Sequence, residues 1–146
     1  MSFSDPLVRL VETIESSPAM YLADSGIASY PGAAEFRSAL AALVSEQKDV
    51  LTRAATIIEQ REQPLPQAPF PIAFTAWHDV DLRYLVSRVI ESLKRQAVDF
   101  AALAAQGGDA AATELAGRAQ EIARRHADAL EQLAVRLRAG LAGQPA

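Results

Sequence analysis

Three apolar stripes, each carried through about thirty residues at steps of three and four, constrain this chain more than any other feature. The first is Phe36, Leu40, Leu43, Val44, Gln47, Leu51, Ala54 and Ile58, and it predicts a helix over 33–62. The second is Leu82, Leu85, Val86, Val89, Leu93, Ala97, Phe100 and Leu103, in a helix that runs to about Gln106. The third is Leu115, Ala119, Ile122, His126, Leu130, Leu133 and Leu137, in a helix that runs to about Ala139. Such helices are about 45 Å long at 1.5 Å per residue, and each must cover its stripe against another element. No alternating strand pattern competes with them.

The punctuation agrees with the periodicity. Gly107-Gly108 ends the second run, because glycine takes the left-handed helix-ending turn without strain, and Asp109 caps the third. So short a link predicts antiparallel neighbours. Near the N-terminus, Asp5 is placed to cap a shorter helix with Pro6 at its first position, where a missing amide hydrogen costs nothing. Its stripe is Leu7, Leu10, Val11 and Ile14. Ser17-Pro18 repeats the signal and predicts a short piece over 19–23, ending near Gly26. Residues 63–74 hold four prolines and predict a stiff extended loop. The expected fold is all-α. It is a four-helix bundle of three long helices, a shorter N-terminal helix and a Pro-rich loop between the second and third, as one domain over 1–146 with 143–146 frayed.

Composition narrows the function classes. The chain has 146 residues, half of them apolar, and a net charge of −4 without blocks of like charge. Nucleic-acid binding needs a basic face to neutralise phosphates, so it is not expected. No cysteine is present, which removes disulfides and thiolate chemistry. No run of about 18 apolar residues and no leader-like N-terminus is visible, so a cytoplasmic protein without membrane contact is expected. Arginine far outnumbers lysine and alanine is abundant, which reads as the coding bias of a GC-rich bacterium.

Helical bundles often hold metals. Ferritin-like di-iron bundles place a glutamate three residues before a histidine, because those side chains converge on the same ions. Here Thr75 precedes His78 and Ala123 precedes His126 at that spacing. The general plan is similar to that of DinB-like bundles, which gather more histidines around one metal than the two in this chain. Neither motif is present. Counted from the Gly-Gly hairpin, His78 falls level with Leu137 and His126 level with Val89. The two histidines are then roughly 16 Å apart along the axis, too far for a shared ion. No metal and no cofactor are expected.

Two places gather rarer residues. Trp77, His78, Asp79 and Asp81 open the second long helix, which starts with either Thr75 or Asp79 as its cap. In both cases the aspartates lie where the helix dipole favours negative charge. Trp77 is placed to pin the Pro-rich loop to the bundle end. The functional alternative is a small pocket under 63–74, lined by these four residues. The second place is mid-bundle, where Gln47 and His126 interrupt apolar stripes. They read as a core polar pair, because a buried imidazole needs a partner. Gln96 is a third such residue. Glu12, Glu46, Glu59 and Glu91 fall off the stripes. Pro66 and Pro69 match a minimal P-x-x-P ligand and read as a stiff connector.

The sequence therefore points to a cofactor-free binding or assembly module. Alanine-rich faces, notably on the last helix, suit a homodimer. The alternative is a small-molecule binder or enzyme with its site under the loop, and a divergent metal-dependent bundle comes third.

Overall fold

The computed structural model describes residues 5–25, 33–66 and 82–142. It contains five helices: α1 (Pro6–Glu15), α2 (Pro18–Ser25), α3 (Ala33–Gln60), α4 (Leu82–Ala105) and α5 (Ala110–Ala142). Among the described residues there is no strand, and no helix is long and apolar enough to cross a membrane. Of the three long helices α5 packs against both α3 and α4, and α1 with α2 forms the fourth wall.

Local chemistry sets the ends. Asp5 Oδ1 accepts from the Leu7 amide at 2.8 Å, with Pro6 at the first helical position. The Ser17 hydroxyl accepts from the Met20 amide at 3.3 Å and so starts α2. Asp109 Oδ1 accepts from the Ala112 amide at 3.2 Å at the start of α5. α3 ends in a left-handed turn at Glu62 (φ 56°), where the Gln63 amide donates back to the Ile58 carbonyl at 3.1 Å. Gly107 and Gly108 also take positive φ, at 71° and 85°.

The stripes become the core. Every expected stripe residue of α1 and α4 is buried, and Ile90 joins them on α4. On α3 the expected Leu51 is only half-buried, while Val50 is fully buried. The inward positions of α3 run Phe36, Leu40, Leu43, Gln47, Val50 and Ala54, alternating steps of four and three. This is the pattern of a helix that keeps one seam toward its neighbours.

Ion pairs fix the direction of packing between α3 and α5. Glu35 pairs with Arg136 at 3.6 Å, Glu46 with Arg125 at 3.0 Å, and Arg61 with Asp109 at 2.8 Å. As the position along α3 rises, its partner along α5 falls by nearly the same steps, so the two helices are antiparallel. Lys94 of α4 pairs with Glu131, and α4 is also antiparallel to α5. Therefore α3 and α4 run parallel and lie across the core from one another. The end of α3 and the start of α4 are at opposite ends of the bundle.

The register of α4 on α5 differs from the hairpin count, which would set Lys94 level with Glu121. Instead Lys94, Ala97, Val98 and Ala101 share a groove with Gln120, Arg124, Ala127 and Asp128. His126 is thus near the level of Gln96 and not of Val89. The reason lies in the link. Asp109 is held by Arg61, so α5 starts at the level where α3 ends, and two left-handed glycines carry the chain there from α4.

Candidate functional site

A polar layer crosses the middle of the bundle. Gln47 and Gln96 are both buried, and Gln47 Nε2 donates to Gln96 Oε1 at 3.4 Å across the core. Gln96 Nε2 in turn donates to the Thr13 carbonyl of α1 at 3.3 Å. These bonds are long, and Gln47 Oε1 has no partner among the described residues although it is buried.

The expected pairing of Gln47 with His126 is not formed. The His126 side chain is 12% exposed and sits at the rim of the core, where its Nε2–H donates to Glu46 Oε2. A carboxylate can only accept, so that ring nitrogen carries the hydrogen. The same carboxylate takes both arms of Arg125, at 3.0 and 3.1 Å. The hydrogen bonds from Arg125 and then from His126 hold the Glu46 carboxyl below its ordinary value near 4.5, against a smaller opposing effect of burial. The cause of the changed pairing is rotation. Ala127 and Ala123 take the inward positions of α5, which turns His126 toward the flank of α3 where Glu46 lies.

Sequence reasoning set Glu46 aside as an off-stripe carboxylate. A signal for it was present in the ladder of opposite charges just described. Adjacent residues carry the layer on both helices, Glu46-Gln47 on α3 and Arg125-His126 on α5. Asp109 belongs to the same ladder. Arg61 chiefly holds its carboxyl below the ordinary value near 3.8, and the amides of α5 assist.

The expected pocket residues Trp77, His78, Asp79 and Asp81 lie outside the described residues. Among the described residues no group of three or more His, Cys, Asp or Glu side chains is placed to hold a metal.

The outer face of α4 and α5 differs in character from this layer. Val98 is 68% exposed, Val135 56% and Tyr84 44%. Val98 lines the groove between Lys94 and Asp128, while Tyr84 and Val135 line its continuation toward Arg138. The Lys94–Glu131 pair bridges the two stretches.

No family model, curated protein or solved structure matches the chain.

What this geometry can do follows from its parts. The polar layer ties four helices together by hydrogen bonds and charge. Its carboxylate, Glu46, is already occupied by Arg125 and His126. The α4–α5 face offers apolar area at the surface, framed by charges of both signs.

Proposed function

We propose that this protein is a non-catalytic binding or assembly module that works through the outer face of α4 and α5. The observation that carries this reading is the placement of exposed apolar side chains. Among the described residues four large apolar side chains are exposed, and Tyr84, Val98 and Val135 all fall on this one face. Single exposed apolar residues are ordinary, but a line of them along one groove marks a contact surface. The polar layer then has a structural task. It holds the helices in register, so that the face is presented as a rigid surface.

The test is binding of an apolar fluorescent dye to the native chain at low protein concentration. Wild type enhances the emission, and the double variant Val98→Glu with Val135→Glu loses most of that enhancement while its circular dichroism and melting temperature stay unchanged. Equal emission from the two proteins counts against the reading.

A further inference from the structure

The outer flank of α5 carries a charge pattern that complements itself. Arg124 and Asp128 sit one turn apart on that flank, and Gly117, Gln120, Glu121 and Gln132 share the surface with them, with Arg125 at its edge toward α3. Among the described residues neither Arg124 nor Asp128 forms a direct ion pair, and Asp128 feels Lys94 only through its field, whereas Arg125, Arg136 and Asp109 toward α3 are paired directly. Gly117 is a second oddity. A glycine inside a helix costs roughly 1 kcal/mol relative to alanine. Here a Cβ would meet nothing within 4 Å, so no packing in the free chain requires the glycine.

A single operation accounts for both. The midpoint of positions 124 and 128 is 126, and so is the midpoint of 117 and 135. We propose that the partner of this face is a second copy of the chain, docked with α5 antiparallel to α5 about a two-fold axis at the level of His126. This rests on the reading of the face as a docking surface. Arg124 of each copy then meets Asp128 of the other, twice, as an isologous contact demands. Val135 of each copy meets the bare backbone at Gly117 of the other, where the absent side chain lets the helices approach. Gln120 falls opposite Gln132, an amide pair that can donate and accept both ways. Glu121 falls opposite Glu131, whose charge Lys94 already neutralises. Four pairs of positions are compatible under one axis, and two of them, Gln120 with Gln132 and Glu121 with Glu131, were not used to choose it.

The experiment is sedimentation equilibrium of the full chain across a micromolar concentration series, with circular dichroism on the same samples. Wild type is expected to form a dimer. Arg124→Asp alone and Asp128→Arg alone each weaken it by about tenfold or more, through like charges brought face to face. An equimolar mixture of these two variants regains wild-type association, because each then supplies what the other lacks. Gly117→Gln raises the melting temperature by its better helix propensity yet weakens the dimer. The proposal is overturned by a monomeric wild type, by single charge variants that dimerise as wild type does, or by a mixture that stays dissociated. If wild type is monomeric while dye binding still depends on Val98 and Val135, the face stands as a docking surface and only the second copy is wrong as its partner.

Discussion

The two flanks of α5 meet the rest of the molecule in opposite ways. Toward α3, arginines 125 and 136, His126 and Asp109 find partners of opposite charge at matching levels. Toward the outside, Arg124 and Asp128 lie as close in sequence and are left without an ion pair among the described residues, beside exposed Val98 and Val135. One helix thus carries a closed seam and an open one. The difference teaches that charged residues of one helix can be locked into a seam on one side and left open on the other. What distinguishes the flanks is direct pairing: toward α3 the charges meet within ion-pair distance, while on the outside Lys94 pairs with Glu131 and acts on Asp128 only through its field.

The largest effect should separate the core side of α4 from its outer side. Phe100→Ala empties a fully buried site and should cost about 3–5 kcal/mol in chemical denaturation. Val98→Ala, two residues away on the open face, should stay within about 0.5 kcal/mol. Similar losses at the two positions would erase the distinction between the sides of the helix.

The polar layer gives the next effect. Gln47→Met leaves Gln96 Oε1 buried without its donor but also removes the unpaired Gln47 Oε1, so the net cost should be about 1 kcal/mol or less. The double change Gln47→Met with Gln96→Met should recover most of that loss, since removing both partners leaves little unpaired. A double variant less stable than the single would show that the Thr13 contact dominates the layer.

The α3–α5 seam should respond to acid. The folded chain holds Glu46 and Asp109 below their ordinary values, so each contributes stability that is complete above those values, near 4.5 and 3.8. That contribution is lost as the pH falls below them toward the depressed folded values. Glu46→Gln should cost about 1 kcal/mol at neutral pH, kept small by partial exposure of the pair. It should also flatten the fall in melting temperature below pH 4.5. A variant with the wild-type acid slope would assign the seam's pH response to Asp109 alone.

The smallest effect is a gain. Glu62 holds a left-handed conformation at the end of α3, which strains a side chain that has a Cβ. Glu62→Gly should stabilise the chain by about 0.5–1 kcal/mol, and a thermal melt reads it directly. It acts at the end of α3, beside the Arg61–Asp109 pair and away from the outer flank, and should leave self-association unchanged.

Much of the fold was legible from local rules. The caps at Asp5, Ser17 and Asp109, the Gly107-Gly108 stop and the buried stripes of α1 and α4 all follow from short-range chemistry in the sequence. The candidate sites were less legible. Gln47 and Gln96 showed as polar residues within apolar stripes, and both are buried. Their partners depended on which helices face one another, and the periodicity of each helix taken alone does not contain that. Glu46 was visible only as an off-stripe carboxylate until α3 and α5 were set side by side.

The amino-acid sequence by itself determined that this chain forms helices, where most of them begin and end, and which residues they turn inward. Those choices depend on caps, turns and spacing within a few residues. The tertiary structure decided that α3 and α4 run parallel across the core, that α5 starts level with the end of α3, and that His126 meets Glu46. It also decided that Val98, Val135, Arg124 and Asp128 share an uncovered face. Each of these depends on the relative level and rotation of whole helices, and that is set by contacts between residues far apart in the chain.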